Sequence, residues 1–98
     1  MTRDYIIYTI HSHKPYLEKT FGFKNVFLFG SFASNHTTET SDIDLLVEAD
    51  KSKKTYSNYL QAKEFLQTIF HRKIDLVYKE SLHPLIQEEI QEDLIKIE

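Results

Sequence analysis

Between Phe27 and Glu48 the chain reads FLFGSFASNHTTETSDIDLLVE, and this stretch constrains the fold more than any other. A run of large apolar residues, NVFLFG from Asn25 to Gly30, fits a strand covered on both faces. The run breaks at Gly30-Ser31, where Ser31–Asn35 can form one helical turn, and residues 36–41 (HTTETS) have the composition of a loop. A second apolar run, DIDLLVEA from Asp42 to Ala49, then reads as a strand with aspartates where side chains should be buried. Alternation puts Ile43, Leu45 and Val47 on one face, and Asp42, Asp44, Leu46 and Glu48 on the other.

Residues two apart on a strand project to the same side, with α-carbons about 6.5–7 Å apart. The Asp42 and Asp44 carboxylates can therefore converge. Left unpaired on a covered sheet they would be costly, because burial disfavours charge and like charges repel. A divalent cation resolves both problems, and magnesium suits carboxylate oxygens and is commonly shared with substrate phosphates. Asp75, in the similar run KIDLVY, offers a third carboxylate if its strand lies beside Asp42–Ala49. Three such groups can carry two metal ions about 3.5–4 Å apart. The alternative is plainer: Asp42 marks a loop edge, and Asp75 pairs with Lys73 or Arg72 at the surface.

The Gly-Ser turn weighs between these readings. Glycine allows a sharp turn and close approach of a ligand, and backbone N–H groups with a serine hydroxyl suit phosphate. Alone it is an ordinary turn. Followed by a ten-residue connection and Asp-x-Asp, it places a phosphate cradle and a metal platform on adjacent strands.

The other elements follow from periodicity. Residues 4–12 read as a short helix with Ile6 and Ile10 four apart. Pro15 is expected to start a second helix ending at Gly22, with Tyr16, Leu17 and Phe21 on its apolar side. Tyr56–Phe70 is the clearest helix, Lys73–Tyr78 is a strand, and Ser81–Pro84 opens a last helix carrying Leu85, Ile86, Ile90 and Leu94. The expected fold is α/β (α+β): one domain over residues 1–98, a small mixed sheet packed by helices. At 98 residues, with 41% apolar and 13% aromatic residues, the chain can bury a core. The net charge of −3 argues against direct nucleic-acid binding. Absence of cysteine rules out disulfides and thiolate metal sites. The apolar run near the start is too short for a signal peptide or membrane span, so a cytoplasmic location is expected.

With these residues assembled, the chain resembles the minimal nucleotidyltransferases of the polymerase beta-like superfamily. The resemblance rests on Phe29-Gly30-Ser31, Ala33, Ser41-Asp42-Ile43-Asp44-Leu45-Leu46-Val47, Lys73-Ile74-Asp75-Leu76-Val77 and Leu82-His83-Pro84. It implies a nucleotidyltransferase fold and transfer of AMP from Mg-ATP to a hydroxyl, with release of pyrophosphate. It also implies an antitoxin role beside a HEPN ribonuclease toxin whose tyrosine accepts the AMP. By carry-over, the resemblance implies that Asp42, Asp44 and Asp75 are the catalytic and metal residues and that Gly30, Ser31 and Ser41 bind nucleotide phosphate. Two other functions remain open: an antitoxin that masks its toxin by contact alone, and a small-molecule nucleotidyltransferase completed by a partner subunit.

The family often continues Gly-Ser-x-Ala-Arg-Gly, whereas Ser34 and Asn35 stand at the last two places. Asn tolerates the left-handed conformation, so the turn can survive; Lys24 or His36 could replace the missing cation. His11 and His13 read as solvated, His71 and His83 as helix-boundary residues, and Lys51, Lys53 and Lys54 as a solvated connector. Tyr56, Tyr59, Phe65 and Phe70 read as core or partner-facing surface.

Overall fold

A computed structural model describes residues 1–38 and 40–98; Glu39, within the expected loop, lies outside them. The elements run α1 (Arg3–Phe21), β1 (Phe23–Phe29), α2 (Gly30–Ser34), β2 (Ile43–Ala49), α3 (Tyr56–Phe70), β3 (Ile74–Tyr78), α4 (Pro84–Ile90) and β4 (Ile95–Ile97). The four strands form one mixed sheet in the order β3-β2-β1-β4. β1 is antiparallel to β2 and β4, and β2 is parallel to β3, with α3 making the crossover.

One face of the sheet carries the core. Val26 and Leu28 of β1, Ile43, Leu45 and Val47 of β2, Ile74 and Leu76 of β3, and Ile97 of β4 are all buried. Ile6, Ile10, Leu17 and Phe21 of α1 and Ala62, Leu66 and Phe70 of α3 join them in one cluster. Phe23 and Val26 are both buried although three apart, which strict alternation forbids. A register shift between Phe23 and Asn25 reconciles them, as a bulge does.

Two expectations are corrected. The N-terminal region is one helix, with Pro15 inside it. Proline breaks a helix by losing an N–H and crowding the carbonyl one turn back, at about 3 kcal/mol or more. Here Pro15 is exposed, while Ile6 and Ile10 before it and Leu17 and Phe21 after it continue one buried stripe. Burying a second pair of large side chains, each about 1.5–3 kcal/mol, outweighs the local cost. Thr2 caps the start through a bond from the Tyr5 N–H, and Gly22 at φ +74° caps the end.

The second correction is at the other terminus. The last helix ends at Ile90, a 3-10 turn spans Gln91–Asp93, and Ile95–Ile97 is an edge strand on β1. Ile86, Ile90 and Leu94 keep helical spacing, which hid the alternation of Ile95, Lys96 and Ile97. Pairing with the open edge of β1 decides the outcome, because it buries Ile97 completely. Two side chains from α1 reach this strand and the residue after it: Lys14 donates to the Ile97 carbonyl at 3.1 Å, and His11 bonds the Glu98 carbonyl. The other face of α1 leaves Tyr5 and Tyr8 exposed, and α4 leaves Leu85 and Ile86 exposed.

Because Ile97 ties the terminal strand to both β1 and α1, Ile97→Ala is expected to cost about 2–4 kcal/mol, read as a lowered urea midpoint with an unchanged slope.

Candidate active site

At the end of β1 the chain turns at Gly30, whose φ is +74°. A side chain is strained there, and the space is also taken. A Cβ on Gly30 would lie 2.1 Å from Asp44 Oδ2 and 2.8 Å from Asp44 Cγ. Strand register is the cause: Phe29 pairs with Asp44 across β1–β2, and Asp44 pairs with Asp75 across β2–β3. Paired residues share a face, so the two aspartates stand side by side on the face opposite the core, against the Gly30 backbone.

The five residues Gly30–Ser34 coil into α2, burying Phe32 and Ala33. Asn35 closes it in the left-handed conformation at φ +63°, as expected for that residue. The Ser34 hydroxyl donates to the Gly30 carbonyl at 3.2 Å, and the His36 N–H donates to the Ser31 carbonyl at 2.9 Å. The His36 ring meets the Ser34 hydroxyl at 3.2 Å, so it folds back on the far end of α2. Lys24 is remote as well: its charge lies beside Asp50, at the opposite end of β1.

Asp44 is half-buried and Asp75 is exposed. Burial, then the charge of Asp75, then a hydrogen bond with Asp75, then the charge of Asp42 push the Asp44 carboxyl up to about 6. Two carboxylates held this close repel each other, and a cation between them would relieve that repulsion. The donor set is all carboxylate oxygen, which fits magnesium.

Asp42 sits just before β2, outside its ladder. Its Oδ2 is 3.9 Å from Lys73 Nζ, a solvent-exposed pair of little energetic weight. Lys73, considered as a surface partner of Asp75, thus lies beside Asp42. Among the described residues, no three His, Asp or Glu side chains form a ready-made metal cluster. The Ser41 hydroxyl accepts from the Thr38 N–H at 2.8 Å, which closes a turn in the loop before the aspartates. Ser31 follows Gly30 at the start of α2.

Two arginines reach the turn from distant positions, Arg3 with no mark in the sequence and Arg72 expected only as a surface partner of Asp75. Arg3 Nη1 donates to the Ala33 carbonyl at 3.0 Å, placing a cation at the end of α2. Arg72 Nη1 donates to the Ser41 carbonyl at 2.9 Å, and its guanidinium lies 5.5 Å from the centre of the Phe32 ring. Neither position carries a local motif; only the tertiary fold brings them to the turn.

Residues 10–97 match the family described as the nucleotidyltransferase domain. The chain belongs to this nucleotidyltransferase family. A Methanocaldococcus jannaschii relative assigned as a protein adenylyltransferase is 40% identical over 90 residues, 90% of each chain. The protein adenylyltransferase MntA of Thermococcus cleftensis is 26% identical over 97 residues, 99% of this chain and 97% of that one. A solved structure assigned as a minimal nucleotidyltransferase superposes with TM-score 0.80 at 25% identity, covering 97% of this chain and 95% of the other. A further fold match, at TM-score 0.67 and 16% identity, covers 94% of this chain and 71% of the other; it comes from a complex of an MNT antitoxin with a tri-AMPylated Shewanella oneidensis HEPN toxin. The expected mixed-sheet nucleotidyltransferase fold is therefore the one observed, and this nucleotidyltransferase is an enzyme of the adenylyltransferase kind.

Asp44 keeps its proton to higher pH in the folded chain than in the unfolded one, where the ordinary value is 3.8. The folded state binds the extra proton between those limits, so this group makes stability fall as pH rises from about 4 to about 6. Asp44→Asn removes the ionisation. In chelator at pH 8 it is expected to melt a few degrees above wild type, with the difference vanishing near pH 4 in a melting series. Gly30→Ala must displace the Asp44 carboxylate as well as strain the turn. It is expected to cost about 1–2 kcal/mol from backbone strain alone, and to lower nucleotidyl transfer far more than stability, as seen by comparing melting with initial rates.

Proposed function

We propose that this chain, as a single minimal nucleotidyltransferase domain over residues 1–98, transfers AMP from ATP to a hydroxyl of a HEPN-type ribonuclease partner, a tyrosine being the acceptor. It thereby acts as the antitoxin of a cytoplasmic pair. The observation that carries this reading is the Asp44 carboxylate lodged against Gly30 with Asp75 in register beside it. The relatives named as protein adenylyltransferases and the fold match from an antitoxin complexed with an AMPylated HEPN toxin support the reaction and the partner class.

In this reading Gly30 and Ser31 bind the triphosphate through the turn, with Ser41 holding the adjoining loop. Asp42, Asp44 and Asp75 would hold magnesium, two ions in the full arrangement. Bound there, magnesium neutralises phosphate charge and makes the acceptor hydroxyl more acidic. Asp75, the exposed carboxylate, accepts the proton of the acceptor hydroxyl. The hydroxyl oxygen bonds to the α-phosphorus of ATP as the bond to the bridging α,β-oxygen breaks. Pyrophosphate leaves with that electron pair. Catalysis rests on positioning and charge stabilisation. Among the described residues no helix is long and apolar enough to cross a membrane.

A second reading, masking of the toxin by contact alone, draws on the exposed Tyr5, Tyr8, Leu85 and Ile86 of α1 and α4. Incubation of the chain with labelled ATP, magnesium and the neighbouring HEPN protein distinguishes them. Transfer of label, a mass increase matching AMP, and loss of neutralisation in Asp42→Ala and Asp44→Ala are expected. No transfer, with both variants neutralising as wild type does, would establish masking instead.

A further inference from the structure

Asp44 and Asp75 are held by the sheet, but Asp42 is not, since β2 begins at Ile43. Its backbone is fixed from both sides by one dipeptide of the neighbouring segment. On one side Arg72 Nη1 donates to the carbonyl of Ser41 at 2.9 Å. On the other the Ile43 N–H donates to the carbonyl of Lys73 at 3.0 Å. The same Arg72 guanidinium rests near the ring of Phe32, which is 2% exposed and follows Ser31 directly. One side chain thus touches the residue before Asp42 and the residue after the Gly30-Ser31 turn. The first lies just before β2 and the second within α2, on either side of the loop that joins them.

We propose that Arg72 is a positioning residue: it sets the distance between the Asp42 carboxylate and the phosphate turn, and so the affinity of the site for its divalent cation. The inference rests on the reading of Asp42 as a metal-holding carboxylate. A guanidinium does this better than an ammonium. Its central carbon lies 5.5 Å from the ring centre while an N–H reaches the carbonyl, two contacts from one rigid group. Partners that orient metal-holding groups typically change metal affinity about 10–100-fold when removed.

The test is Mn2+ binding, read from the electron paramagnetic resonance signal of the free ion, with a non-hydrolysable ATP analogue present. Arg72→Ala is expected to weaken Mn2+ binding about tenfold, and Arg72→Lys to recover part of that loss. If Arg72 acts through Asp42, Arg72→Ala adds no further loss in an Asp42→Ala background. Should Arg72→Ala fail to fold, Arg72→Met, which keeps a stem over Phe32 and loses the donor, carries the same expectation. Mn2+ affinity within twofold of wild type in a folded variant would overturn the proposal. So would losses that add in the double variant. The readout needs no turnover, so it separates the two claims. Weakened Mn2+ binding with no AMP transfer by wild type would sink the proposed reaction and leave Arg72 its role. Normal transfer with unaltered Mn2+ binding would do the reverse.

Discussion

The Asp44 carboxylate takes the place of a side chain that Gly30 lacks, and much of the fold exists to keep it there. The contact needs Phe29 opposite Asp44, and it needs Asp44 level with Asp75. Neither register is set by the aspartates, which repel each other. Both are set on the opposite face, where Leu28 lies across from Leu45 and Ile43 and Leu45 lie level with Ile74 and Leu76. A slip of one residue would turn these apolar chains to water and the aspartates into the core. Apolar burial on one side therefore imposes electrostatic strain on the other.

That division explains the unequal faces of the sheet. α1 and α3 cover the core face, with Tyr16, Phe21 and Phe65 joined ring to ring between them at centroid distances of 4.8–6.0 Å. The Tyr59 hydroxyl donates to the Leu76 carbonyl at 2.7 Å, anchoring α3 to the residue after Asp75. The site face is less covered: Asp75 is exposed and Asp44 half-buried. A rigid layer behind an open row of carboxylates lets a destabilised group persist without loosening the strands that present it.

The sequence disclosed the strands, the turn and the aspartates because each is written locally. Alternation marks β2, a glycine marks the turn, and Asn35 marks the left-handed residue that ends α2. Tyr56–Phe70 was legible to the residue for the same reason: Thr55 caps its start and its apolar spacing is regular. What stayed hidden depends on distant partners. Pro15 signals a break unless the buried stripe through Ile10 and Leu17 is known. Ile95–Ile97 is too short to announce a strand until β1 offers it an edge. Arg3 and Arg72 look like ordinary surface cations, and only the fold brings them to Ala33 and Ser41. The pairing of Lys73 with Asp42 rather than Asp75 was unreadable too, since it depends on how the chain enters β2.

The different surroundings of the paired aspartates bear on how they could divide labour. Asp44 and Asp75 lie level across β2 and β3, but Asp44 is half-buried where Asp75 is exposed, and burial drives the Asp44 carboxyl upward. In the proposed transfer, the more buried group gains most from a cation, because a charge held away from water is stabilised most by an opposite charge nearby. The exposed partner keeps access to an incoming hydroxyl and to solvent, where a proton can be released. Two chemically identical side chains thus acquire distinct tasks from position alone. Gly30 is what makes that difference possible, because any larger residue at the turn would push Asp44 away from it.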